Sequence, residues 1–71
     1  MDKDELKKLQ VYMRKTFGNA SLEIKPQPKK KDMAEVFIGQ DQIAQLYRDE
    51  EDGEVSYQLQ MAILDIDLED A

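Results

Sequence analysis

Two clusters of carboxylates, one cluster of lysines and one tyrosine are the groups in this 71-residue chain whose type and spacing could do chemistry. The run Asp49-Glu50-Glu51-Asp52-Gly53-Glu54 suggests a calcium loop. An EF-hand loop needs oxygen ligands at positions 1, 3, 5 and 12 with glycine at 6. Aligning Gly53 to the glycine position puts Arg48 first and Leu59 last, so the pattern fails. The run then reads as a solvated hairpin tip. Asp65, Asp67, Glu69 and Asp70 could also gather a cation, but they read better as an acidic tail. Tyr57 beside a carboxylate is conceivable as an acid/base pair, although a half-buried aromatic on a strand is ordinarily core. Ser21, Ser56 and Thr16 have no histidine to activate them, because the chain contains none. With no cysteine either, tetrahedral zinc sites, thiolate nucleophiles and disulfides are excluded. The three glycines stand apart at 18, 39 and 53, so no phosphate-cradling loop is present. The sequence therefore assigns no catalytic residue, metal ligand or cofactor, and a non-enzymatic protein is expected.

The lysines offer a different chemistry. Lys25, Lys29, Lys30 and Lys31 form a basic cluster, and Lys7, Lys8, Arg14 and Lys15 lie in the segment before it. Together they could meet phosphates if the fold brought them to one surface. Helix followed by antiparallel strands loosely resembles double-stranded-RNA-binding domains, but the second helix and the C-terminal basic motif of those domains are missing. No aromatic platform is interleaved with the lysines, and the net charge of −6 opposes non-specific binding. Nucleic-acid or polyanion binding is the alternative expectation.

That net charge hides an asymmetry. Residues 1–31 hold nine Lys/Arg and four Asp/Glu, whereas residues 32–71 hold one and twelve. Internal complementarity with solubility is one reading; two partner surfaces of opposite sign is the other.

The elements that must position these groups follow from periodicity. Residues 3–17 read as an amphipathic helix, with Leu6, Leu9, Met13 and Phe17 on one stripe. Asp2 and Glu5 form a capping-box pattern, and Gly18 suits the left-handed stop. Residues 21–25 alternate as a strand with Leu22 and Ile24 inward, ended by Pro26. Residues 26–32 are a loop. Residues 34–38 form a second strand, with Val36 and Ile38 on one face and Met33 and Phe37 on the other. Residues 39–42 turn into a third strand from Ile43 to about Asp49.

The fourth strand runs from about Glu54 to Ile63 or Leu64, because Val55, Tyr57, Leu59, Met61 and Ile63 alternate with smaller or polar residues. Asp52-Gly53 between the last two strands marks a tight hairpin. A two-residue loop there pairs Leu46 with Leu59; a three-residue loop slips the pairing by one and exchanges the faces. The shorter loop is the favoured register. Leu64, Ile66 and Leu68 imply either strand continuation past a bulge near Ile63-Leu64 or a short helical turn.

The predicted architecture is α+β: one domain over 1–71, an N-terminal helix packed on a four-stranded antiparallel meander, with 65–71 a possible acidic tail. A chain of this length buries roughly 60% of its unfolded surface, so a second copy is a plausible source of further burial. One helix cannot cover both sheet faces. Val36, Ile38, Ile43 and Tyr47, rimmed by Gln45, Gln58 and Gln60, are expected on the open face as the surface of a homodimer or of another protein. No apolar run approaches the ~20 residues of a membrane helix, and the N-terminus lacks a secretory core. A cytoplasmic protein is expected.

The segments 9–19, 28–32, 34–39, 51–53 and 60–65 resemble a family of short alphaproteobacterial proteins of unknown function. Gln60-Met61-Ala62-Ile63-Leu64-Asp65 is the most specific of these pieces. The resemblance spans nearly the whole chain. It implies a bacterial cytosolic protein and brings no activity, cofactor or catalytic residue.

Overall fold

The structure, a computed structural model, describes residues 1–69. Its elements are α1 (Lys3–Phe17), β1 (Leu22–Pro26), β2 (Met33–Ile38), β3 (Asp41–Glu51), β4 (Glu54–Gln60) and α2 (Asp65–Glu69). The strands form one antiparallel meander in the order β1-β2-β3-β4. This is the α+β arrangement expected from the sequence.

Local chemistry sets the helix ends. The Asp2 carboxylate accepts from the Glu5 amide at 2.7 Å, and the Glu5 carboxylate accepts from the Asp2 amide at 3.3 Å. That reciprocal pair satisfies amides that the first turn leaves free. At the other end Gly18 adopts φ 63°, ψ 34°, and its amide returns to the Arg14 carbonyl. An L side chain at that position would cost steric strain, and glycine avoids it.

Two side chains of α1 fasten it to the edge strand. The Gln10 side-chain oxygen accepts from the Ile24 amide at 3.0 Å, and Arg14 Nε donates to the Leu22 carbonyl at 2.7 Å. These bonds use backbone groups of β1 on the side where no strand pairs with it. Beneath the helix lie Leu22, Ile24, Ala34, Val36, Ala44 and Leu46, all buried with Met13. Complete burial of a side chain such as Leu22 or Val36 contributes about 1.5–3 kcal/mol each. Leu6 and Leu9 pack against the margin of this core. Phe17, the last member of the helix stripe, stays exposed.

The hairpin has the shorter of the two loops. Leu46 pairs with Leu59 and Glu51 with Glu54, leaving Asp52-Gly53 as a two-residue turn. Both turn residues have positive φ, 53° and 82°. Such turns match the twist of the flanking strands.

Three features differ from the sequence reading. The pairing of β2 with β3 shifts between Val36 and Phe37, so that Ala44 faces Val36 and Gln42 faces Phe37. Ile43 is the extra residue, and the bulge therefore lies here and not near Ile63-Leu64. β4 ends at Gln60, three or four residues early. The segment 61–64 is irregular, and 65–69 forms the short helical turn that was the alternative reading.

The bulge and the register decide the faces. Val36 is fully buried under α1 at 0% exposure, and Ile38 and Ile43 pack at the core margin. The patch expected from Val36, Ile38, Ile43 and Tyr47 is therefore not one surface. Tyr47 alone of the four belongs to the face away from the helix. That face carries Met33 and Phe37 among Glu23, Lys25, Glu35, Gln45 and Gln58 as cross-strand neighbours. Lys25 Nζ lies 4.7 Å from the centre of the Phe37 ring, and the Tyr47 hydroxyl donates to Gln45 Oε1 at 2.6 Å. Polar partners and a cation over an aromatic face make this side compatible with water.

Candidate functional site

The site builds from the helix-side face of β3 and β4, where alternation points Leu46, Arg48, Val55, Tyr57 and Leu59 the same way. α1 crosses the sheet with its C-terminal half tied to β1. Its first turn reaches Arg48 and Tyr57, and its later turns stand beside Leu46, Tyr57 and Leu59 while leaving Leu59 exposed. At that first turn three side chains converge. Arg48 Nε donates to Glu5 Oε2 at 2.8 Å, the Tyr57 hydroxyl donates to the same oxygen, and a second Arg48 nitrogen reaches Glu50 at 3.1 Å. Glu5 thus caps its own helix and receives β3 and β4.

The Tyr57 hydroxyl is the largest influence holding the Glu5 carboxyl below its ordinary value of 4.5, helped by Arg48 and the Asp2 amide and opposed by burial. The same carboxylate pushes Tyr57 above 10.0, with burial adding to it. It also raises the Arg48 guanidinium. The sequence had paired Tyr57 with an unspecified carboxylate as a conceivable acid/base couple. The carboxylate is Glu5, but both groups move away from neutrality. A proton-transfer catalyst works best with a pKa near the working pH. The trio acts as a strut between helix and hairpin.

Past the strut, a gap separates α1 from β4. Leu9, Tyr12, Met13, Thr16 and Phe17 on one side and Leu46, Tyr57 and Leu59 on the other line an apolar groove of about 430 Å³. Tyr12 is 66% exposed along it. From the end of β4 the chain continues as Met61, Ile63, Leu64, Ile66 and Leu68, every one exposed, Ile66 at 65%. α2 touches no other element among the described residues. The molecule is correspondingly long, 43 Å against 23 and 22 Å.

The other sequence candidates fall elsewhere. Lys29, Lys30 and Lys31 stand exposed in the loop between β1 and β2, while Lys25 lies on the face away from the helix, opposite Glu35. Lys25 and the basic residues of α1 are therefore on opposite sides of the sheet. Asp49, Glu51, Asp52 and Glu54 surround the hairpin tip, but no three acidic side chains among the described residues gather closely enough to hold a metal ion. Asp70 lies outside the described residues. No described helix is long and apolar enough to cross a membrane.

The groove residues Tyr12, Phe17 and Leu59 were not singled out as a site from the sequence. Their signal was present in the excess of apolar positions on α1 and β4 over what one small core can bury. Comparison with curated proteins and with solved structures found no match. A protein family does match, over residues 5–67, a span that takes in most of α1, the whole sheet and most of the apolar segment after β4. The chain belongs to this family, described as protein of unknown function DUF3126.

Proposed function

We propose that this chain is a small non-enzymatic interaction module that self-associates through the uncovered half of its helix-side sheet face. The observation that carries this reading is the groove between α1 and β4, an apolar channel left open in a single copy. Exposed apolar surface of this kind, rimmed by charge, marks protein contact sites. The strut of Glu5, Arg48 and Tyr57 supports it by fixing the angle between the two walls. Binding of nucleic acid draws less support, because Lys25 is turned from the helix face and the exposed loop offers three lysines without an aromatic platform.

Amide chemical shifts followed from about 5 µM to about 500 µM protein test the reading, since self-association obeys mass action. Thr16, Phe17 and Leu59 are expected to move with concentration while Glu35 and Gln45 on the opposite face stay still. Spectra that do not change over this range, or that change at Glu35 and Gln45 alone, would contradict it.

A further inference from the structure

The geometry points to a specific occupant for the groove: the segment Met61–Glu69 of a second copy, exchanged reciprocally in a two-fold dimer. This inference rests on the self-association proposed above and adds which parts meet. A single copy leaves two apolar features without a partner. One is the groove walled by Tyr12, Phe17 and Leu59. The other is the segment after β4, where five large apolar side chains fall within eight residues and none is covered. Each has what the other lacks.

Charge selects the pairing. The segment carries Asp65, Asp67 and Glu69 and no cation between 61 and 69. Beside Tyr12, the outer surface of α1 carries Lys7, Lys8 and Lys15 against one carboxylate, Asp4, and these with Val11 line a second shallow hollow. Tyr12 belongs to both hollows, so the apolar groove opens directly onto the basic flank. An acidic segment with apolar teeth fits that junction: its isoleucines and leucines enter the groove and its carboxylates face the lysines. Surface pairs of this kind steer and orient more than they bind, and the apolar burial supplies most of the affinity.

The segment is free to meet a second copy. Residues 61–64 are irregular, with Ala62 still beside Ile43 and Ala44 of β3, and α2 makes no contact with the other described elements. A two-fold axis makes each copy both donor and acceptor, so one type of contact is made twice. The basic first part and acidic second part of the sequence then complement each other across the dimer.

The chain has no cysteine, so one label site can be introduced cleanly. A spin label on a Glu69→Cys chain is mixed with an isotope-labelled native chain that carries no spin label. Broadening at the amides of Tyr12, Thr16 and Phe17 of the isotope-labelled copy is the expected result. A dimer that forms without this broadening would overturn the exchange while leaving self-association intact. Broadening seen only when both labels are on the same chain would place the segment on its own groove and overturn it too. A monomer at all concentrations would remove both proposals.

Full-length Leu59→Asp and Ile66→Asp chains provide a second readout. Each is expected to weaken the dimer at least about tenfold, and an equimolar mixture to recover part of the loss through one intact contact. Gln45→Ala is expected to leave the dimer unchanged. A mixture no stronger than either variant alone would count against exchange, and the spin-label result on the native sequence decides the matter if either variant fails to fold.

Discussion

The two halves of this sheet share a helix, a twist and an alternating sequence, and they end up differently. Under the C-terminal half of α1, β1 and β2 present Leu22, Ile24, Ala34 and Val36, and all four are buried. On the far half, β4 presents Val55 and Leu59 with the same alternation, and both remain exposed. The difference lies in what rests above. Gln10 and Arg14 bind the helix to β1, and Leu59 is left open across the groove that Tyr12, Thr16 and Phe17 wall from the other side. Alternation therefore reports which residues share a face; whether that face is covered is a property of helix placement.

Substitutions in the two halves should separate sharply. Leu22→Ala, at 1% exposure, removes a side chain that nothing can replace and is expected to destabilise the monomer by about 3 kcal/mol in denaturant unfolding. For a domain this small that is a large share of total stability. Leu59→Ala at low protein concentration is expected to cost well under half as much. Equal losses at the two positions would show that the open half is packed after all.

The strut joins the halves, and its removal is the next effect in size. Tyr57→Phe deletes the hydroxyl that donates to Glu5 and is expected to cost about 1–2 kcal/mol, as a hydrogen bond to a partly exposed charge does. Its pH dependence follows from the directions of the shifts. Glu5 is held below 4.5 in the folded state, so its contribution is present above that value and is lost as pH falls below it. Tyr57 is held above 10.0, so its contribution is present below that value and is lost as pH rises past it. The native protein should have a stability plateau between these limits, with an acid shoulder that Glu5→Gln flattens. An unaltered acid shoulder in that variant would assign it to other carboxylates.

The smallest effect belongs to the hairpin tip. Gly53→Ala forces a β-carbon onto φ 82° and is expected to cost about 1 kcal/mol by thermal melting, although open space surrounds the position. A neutral result would mean that the turn relaxes to another type without disturbing the pairing.

Much of the architecture was legible because local chemistry enforces it. Asp2, Glu5 and Gly18 bracket α1 at residues 3–17, and Asp52-Gly53 sets the register that joins Leu46 to Leu59. The side of β2 that meets the helix was not legible. Met33 and Phe37 on one side rival Ala34, Val36 and Ile38 on the other, so the binary pattern had no preference. The bulge at Ile43 broke the remaining symmetry, and nothing in Gln42-Ile43-Ala44 marks it. Glu5, Arg48 and Tyr57 meet across 43 and 52 residues of sequence, a separation over which no short-range pattern operates. The end of β4 was obscured because Met61 and Ile63 continue the strand rhythm although pairing with β3 stops at Gln45 and Gln60, next to the bulge at Ile43. Val36, Ile38 and Ile43 consequently fall on the helix side of the sheet and not with Tyr47, and the proposed contact surface is the open half beside the helix.

Sedimentation equilibrium of the native chain at about 100 µM, well above the dissociation constant expected of a standard interface, tests the central claim most directly. A mass of twice 8.3 kDa is the result expected if the open half of the sheet is an interface between copies. A mass of 8.3 kDa would show that this half faces water in the free protein and would contradict the account.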